Sequence, residues 1–347
     1  MLNSPYRKYE PFFGNWYLKE YLGSGSFGQV FLIEKKVQHR KSGPQSALKI
    51  ISLPQNQAEV EELRQNYEVD DQTIFQHYEK IVFRISREIE LMSKLRGNPH
   101  IVDYEDHQVI RRKGEIGWDI LIRMEYLTPL PKKLKEQKVL SWQEIGKIGR
   151  DICQALEICQ EHQILHRDIK PANIMVNAVG EYKLGDFGIS RSIETRAEAD
   201  FQLTYRVGTL SYMAPEVYNL TGNLSYGITA DLYSLGLVLY RLLNNNRLPF
   251  MRQDTEYKLD NNEERESFVR RMKGEELPPP CQAPPALAAI ILRACAFDAA
   301  QRYQTPRQMY NDLERLLAEE SWSELPELPA PETVVPNYAE EETIEIP

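Results

Sequence analysis

The sequence lacks the features that would tie it to a membrane, an oxidising compartment or a nucleic acid. It has only four cysteines in 347 residues, Cys153, Cys159, Cys281 and Cys295. None shows CxxC or Cys/His spacing, which argues against disulfides and structural zinc and fits buried thiols in a reducing compartment. The apolar run Pro285 to Phe297 is interrupted by Arg293, and it falls far short of the roughly 20 residues a membrane-spanning helix needs. The start, MLNSPYRKYE, has no apolar stretch behind its basic residues, so it does not read as a secretory signal. The expectation is a cytoplasmic protein with no membrane segment. No solenoid repeat is present. Positive charge is not in excess either: the formal net charge is −9, and the chain from Glu319 onward carries Glu but no Asp, Lys or Arg. Those nine glutamates equal the whole net charge, so residues 1–318 balance to zero. A nearly neutral body argues against the one-sided Lys/Arg surface by which proteins follow nucleic-acid phosphates.

What is present is enough apolar residue, 42% beside 27% charged, for a large core and a two-lobed domain. Residues 14 to 51 alternate apolar and polar positions around glycines, the pattern of short antiparallel strands. From about Glu59 to Leu95 the period becomes helical and predicts one long helix ending at the RGNP breaker. Strand-like stretches return over 101–127, VDYEDHQVI and WDILIRMEYL. Beyond Thr128 apolar stripes predict helices at Trp142 to His162, Ala230 to Asn244, Pro285 to Ala296 and Pro306 to Leu317. The expected organisation is an N-terminal extension at 1–13, a sheet lobe at 14–127 and an α-rich lobe at 128–318. Residues 319–347, acidic and Pro-rich, read as a disordered tail.

Three motifs carry chemistry. The first is Gly23-Ser24-Gly25-Ser26-Phe27-Gly28, preceded by Leu22 and followed by Val30, between two strand patterns. Glycines at these places let backbone amides approach phosphate oxygens. The continuation as a strand rather than a helix favours a lid over ATP and not a dinucleotide fold. The second is Ala47-Leu48-Lys49 at the end of the next strand. A buried ammonium needs a carboxylate, and Glu88 supplies one, on a stripe with Ile85, Met92 and Leu95, whereas Glu90 points elsewhere. Taken singly, Lys49 is more often a strand-end surface lysine and Glu88 a solvated helix charge. The third is His166-Arg167-Asp168-Ile169-Lys170-Pro171-Ala172-Asn173, then Asp186-Phe187-Gly188, Gly208-Thr209 and Ala214-Pro215-Glu216.

In order and spacing, this set resembles the eukaryotic-type serine/threonine members of the protein-kinase superfamily over roughly residues 14 to 318. The fold implied is α+β and bilobal, with a small antiparallel sheet plus one long helix and a larger α-helical lobe. Transfer of the γ-phosphoryl of ATP to protein hydroxyls is a matter of positioning and electrostatic stabilisation. The resemblance makes Asp168 the group that orients the substrate hydroxyl and takes its proton, and Lys170 the neutraliser of the γ-phosphate. Asn173 and Asp186 become the ligands of Mg2+, or of Mn2+ in its place, and Lys49, fixed by Glu88, holds the α and β phosphates. Met124 would face adenine, with the backbone of Glu125 and Leu127 bonding the base. Support would come from His166, Phe187 and Met92 stacked through the core, from Asp231 bracing the catalytic loop, and from an Arg302–Glu216 pair. Lys170 and Thr209 match the serine/threonine pattern rather than the tyrosine one. Arg167 resembles kinases whose activation loop is ordered by a phosphate. Thr204 is the working autophosphorylation site, with Tyr205, Ser190, Ser192 and Thr195 as further acceptors and a transient dimer as one route that no residue proves; the alternative reading is that all five are simply exposed polar residues.

Departures accompany the match. Ala172 and Pro131 stand where arginine-preferring kinases often carry acids. Residues 53–80 are longer than usual and would extend or flank the Glu88 helix. TPLPKKLKEQKVL and LYRLLNNNRLPF most resemble bacterial members, which often continue into a membrane anchor and sensor. The rival readings are a pseudokinase scaffold, against which every catalytic position is intact, and a small-molecule kinase, which usually lacks the Asp-Phe-Gly and Ala-Pro-Glu segments.

Overall fold

A computed structural model describes residues 3–25, 28–67, 69–137, 139–187, 210–218, 227–253 and 261–318. These fall into two compact units, the first from residues 3–98 and 102–127, the second from 99–101, 128–187 and the described residues from 210 on.

The first unit is a five-stranded antiparallel sheet in the order β1-β2-β3-β5-β4. Its strands are β1 (Trp16–Gly25), β2 (Gly28–Lys35), β3 (Gln45–Leu53), β4 (Tyr104–Arg111) and β5 (Trp118–Met124). Alternation along β3 sorts its side chains between two layers. Ile51 and Leu53 join the buried cluster of Ile74, Tyr78, Ile81, Ile85 and Ile89 on the helical side. Leu48 and Ile50 join Phe12, Trp16, Phe31 and Leu121 on the other. Gly28 is forced to be glycine, because a Cβ there would sit 2.3 Å from the Ile50 carbonyl oxygen.

The single long helix expected from Glu59 to Leu95 is two helices, α1 (Gln57–Tyr67) and α2 (Asp71–Ser93). The break has a local cause: Asp70 is extended, and its side chain accepts from the Thr73 amide at 2.8 Å, so it caps a new N-terminus. The long 53–80 stretch therefore both adds a flanking helix and lengthens the one that carries Glu88. Residues 3–13 are part of this unit's packing. A 3-10 turn at Pro5–Tyr9 sends the Tyr9 hydroxyl to Asp119 Oδ2 at 2.5 Å, and the Tyr6 hydroxyl lies 3.1 Å from that of Ser52.

The second unit is mainly helical: α3 (Leu130–Glu136), α4 (Trp142–Glu161), α5 (Pro215–Tyr218), α6 (Ile228–Leu242), α7 (Asn261–Met272), α8 (Pro285–Ala294) and α9 (Pro306–Ala318). It also has a small sheet of β6 (Thr128–Pro129), β7 (Ile174–Val176) and β8 (Tyr182–Leu184). Ser141 caps α4 by accepting from the Glu144 amide. At Gly149 of α4 a Cβ would come within 3 Å of Leu239 on α6 and Leu313 on α9, so three helices meet over a missing side chain. Among the described residues no helix is long and apolar enough to cross a membrane. Three of the thiols are buried as expected, but Cys281 is exposed, because it sits on the turn Gln282 makes against Leu243.

Candidate active site

The first unit holds the residues expected to bind nucleotide. Leu22, Gly23, Ser24 and Gly25 end β1, and Gly28 and Val30 open β2, with Gly23 opposite Val30 and Gly25 opposite Gly28. Ser26 and Phe27 lie outside the described residues. Ala47 and Lys49 share the face of β3 that carries Ile51, and Lys49 is only 7% exposed. Ile122, across from Lys49 on β5, packs in the same cluster as Ile85 and Ile89, which flank Glu88 on α2. Glu88 is half-buried and Glu90 exposed, and Met92 packs on the same cluster. Met124 lies opposite Ala47. After it the Glu125 amide donates to the Asp103 carbonyl at 2.9 Å, and Glu125 and Leu127 are both half-buried.

The second unit holds the residues expected to form the catalytic loop and builds them from the main chain outward. Asp231, fully buried on α6, accepts from the backbone amides of both His166 and Arg167 at 2.8 Å. The His166 ring spans the next gap. Its Nε2 is 2.9 Å from the Gly185 carbonyl, and its Nδ1 is 3.3 Å from the Asp168 amide. A carbonyl only accepts and an amide only donates, so the ring carries its proton on Nε2. Phe187 packs on the ring at 4.8 Å between centroids, tilted by 57°.

Asp168 is then held by two neighbours on one oxygen. Asn173 Nδ2 donates to its Oδ2 at 3.0 Å and to its carbonyl at 2.7 Å, and Lys170 Nζ is 3.2 Å from the same Oδ2. The Gly185 amide donates to the Asn173 carbonyl at 2.9 Å, which ties the segment of Asp186 to the turn of Asn173. Asp186 and Arg167 both have left-handed backbones, φ +60° and +67°, a strain that persists only where surrounding contacts over-determine the conformation. The donor set fits a hard cation. Asn173 commits its amide nitrogen to Asp168 and so presents a carbonyl-type oxygen, and Asp186 is a half-buried carboxylate. Magnesium prefers such oxygens, one or two from protein and the rest from phosphates and water.

A buried ion pair also lies elsewhere in this unit. Arg302 makes a bidentate pair with Glu216, 2.8 Å at each nitrogen, and donates to the carbonyls of Ala296, Thr229 and Phe297. Gly188, Ser190, Ser192, Thr195, Thr204, Tyr205 and Thr209 lie outside the described residues.

Two arginines in the site's surroundings went unnoticed in the sequence. Arg241 donates to the Tyr212 hydroxyl at 2.7 Å and Arg271 to the Ser211 carbonyl at 2.8 Å, both in the segment just after Thr209. Nothing local marks them. Arg271 stands in ERESFVRRM, which reads as a solvated charged helix, yet it is 2% exposed.

Comparison with known proteins agrees with the family that the motifs resemble. Residues 16–313 match the family model described as "Protein kinase domain", and the chain belongs to that family. It is 34% identical over 238 residues to the carbon catabolite-derepressing protein kinase of Saccharomyces cerevisiae, covering 68% of this chain and 32% of that protein. It is 29% identical to a probable serine/threonine-protein kinase of Clostridium perfringens, over 70% of this chain and 33% of the other. Against the serine/threonine-protein kinase PknB of Mycolicibacterium smegmatis the identity is 35%, over 49% and 26%. The chain thus spans about a third of the length of the first two of these relatives. ATP and a divalent metal ion are the family's cofactors, and its substrates are proteins.

Proposed function

We propose that this chain is a serine/threonine protein kinase that transfers the γ-phosphoryl group of ATP to serine and threonine hydroxyls of proteins. The observation that carries the reading is the Asp168 carboxylate. Its Oδ2 is held by Asn173 and Lys170, on a loop whose backbone is pinned by Asp231. Oδ1 is the oxygen left to accept the proton of a substrate hydroxyl, a general-base role worth on the order of 100- to 10,000-fold. Lys170, already beside that carboxylate, neutralises charge on the group being transferred.

On the first unit, Lys49 offers a charge to the α and β phosphates from a buried strand position, and Glu88 fixes it from α2. The Glu125 amide is spent on Asp103, so its carbonyl and the Leu127 amide are the groups that meet adenine. Asn173 and Asp186 hold Mg2+, which when bound neutralises phosphate charge. Lys170 in place of the tyrosine-kinase pattern supports serine/threonine acceptors, and Thr204 is the proposed autophosphorylation site. A cytoplasmic location and the unit boundaries at 14, 128 and 318 belong to the same reading.

The test is transfer of labelled phosphate from ATP to casein with magnesium, followed by phosphoamino-acid analysis. Phosphoserine and phosphothreonine that disappear with a chelator and return with magnesium support the proposal. Label on tyrosine alone, or none, contradicts it.

A further inference from the structure

Positive charge gathers at one place on the second unit. The stretch Leu130 to Arg150, which spans α3 and the start of α4, carries Lys132, Lys133, Lys135, Lys138, Lys147 and Arg150 against only Glu136 and Glu144. Three of these cations are committed to the fold. Lys133 Nζ pairs with Glu144 and donates to the Tyr182 hydroxyl at 2.8 Å, Lys147 donates to the Gly180 carbonyl at 2.6 Å, and Arg150 pairs with Asp151 at 3.0 Å and Glu314 at 3.3 Å. Leu130 and Leu134 turn one face of α3 into the core, and Lys132 and Lys135 stand exposed on the other, with Glu136 offsetting part of their charge.

The last described helix ends at this place. Leu317 of α9 lies on Gly146 of α4, its Cδ2 3.1 Å from where a Cβ would stand. Glu144, the partner of Lys133, is two residues earlier, about 3 Å along the axis of α4 and on its opposite flank. A chain leaving Ala318 therefore has only the width of α4 to cross before it meets α3, about 10–12 Å, and four extended residues cover that at ~3.3 Å each. The chain that leaves is of the complementary sign. Residues 319–347 hold nine Glu and no Asp, Lys or Arg, and Glu324 and Glu327 fall just beyond the crossing. A single exposed ion pair is weak, but a tethered segment meets its partner at an effective concentration in the millimolar range, so several weak pairs together are populated.

We propose that residues 319–347 dock on the lysine face of α3 in the same molecule, with tail glutamates against Lys132 and Lys135. The contact is held by charge, so it is reversible and sensitive to salt. The proposal stands apart from the kinase reading, because it needs neither nucleotide nor phosphoryl transfer.

The test is zero-length carbodiimide cross-linking of the full chain, with linked peptides mapped by mass spectrometry from the monomer band. Lys132 or Lys135 should be joined to tail glutamates at low salt, and about tenfold less at 1 M salt, where the screening length falls to about 3 Å. Lys273, exposed just after α7, is the control and should give few links at either salt. In parallel, hydrogen exchange is followed at the Gln137 amide, which donates to the Lys133 carbonyl at 2.7 Å. At low salt it should be slower in the parent than in a variant carrying Glu319→Gln and the same change at the other eight tail glutamates, and 1 M salt should abolish the difference. That variant alters none of the described residues, so its melting temperature should match the parent's. Links absent, or spread alike over Lys132, Lys135 and Lys273, overturn the proposal. Links confined to a dimer band give the tail to a second copy and overturn docking within one chain. Equal exchange at Gln137 in parent and variant overturns it as well.

Discussion

Asp231 holds His166 by its backbone, Oδ2 to amide nitrogen at 2.8 Å, while its other oxygen takes the amide of Arg167. One buried carboxylate thus fixes two successive peptide groups immediately before Asp168. In Asp231→Asn one of those acceptors becomes an NH2 facing an N–H. The account predicts a fall in kcat of roughly 100-fold, the cost of displacing a reacting group by about 1 Å, with little change in the KM for ATP. Steady-state kinetics beside a thermal melt separate this from unfolding.

The Arg302–Glu216 pair predicts a stability effect rather than a kinetic one. Arg302 is 1% exposed and donates to both oxygens of Glu216. Removing Glu216 alone strands a buried cation and should cost about 3–5 kcal/mol in urea unfolding. Replacing both residues with apolar ones should cost clearly less than the sum of the single changes.

Asp119 gives a pH dependence with a definite sign. Burial alone pushes its carboxyl up, but hydrogen bonds from Arg112, Ser52 and Tyr9 outweigh that and hold it below the usual carboxylate range. The folded state therefore binds this proton less well than the unfolded chain does. The stabilisation is present above the ordinary aspartate value of about 3.9 and is lost as pH falls through the lower folded value. Asp119→Asn should be less stable at neutral pH and should lose less on acidification than the parent. Melting temperatures taken at pH 7 and in steps below pH 4 read this out.

The thiols should differ in reactivity. Burial pushes Cys295 up to about 12, with Arg271 and Arg302 opposing it, and burial likewise raises Cys153 and Cys159. Cys281 is exposed and is raised as well. An aromatic disulfide reagent should therefore titrate Cys281 first in the folded protein, faster as pH rises, and reach all four thiols only in denaturant.

The candidate catalytic loop was legible in the sequence as a motif because its residues are contiguous or follow in a short ordered series. The β3 strand was legible as a short apolar run, although it is buried on both faces rather than on alternate positions only. What escaped notice depended on contacts far apart in sequence or on local chemistry that periodicity overrode. The split between α1 and α2 was hidden because apolar spacing continues across Asp70, a cap recognisable only once its φ and ψ are known. Residues 3–13 offered aromatic residues but no strand or helix period, and their partners, Ser52 and Asp119, are on distant strands. Arg241 and Arg271 looked like surface charges because nothing nearby shows what a helix will be buried against.

The most direct measurement is phosphosite mapping by mass spectrometry after incubating the full chain with ATP and magnesium, beside Asp168→Asn and Lys49→Ala. The account predicts phosphate on serine or threonine, of this chain or of added casein, in the parent and on neither variant. Phosphate at equal levels in Asp168→Asn would contradict the role given to that carboxylate, and a parent that transfers none would contradict the kinase reading itself.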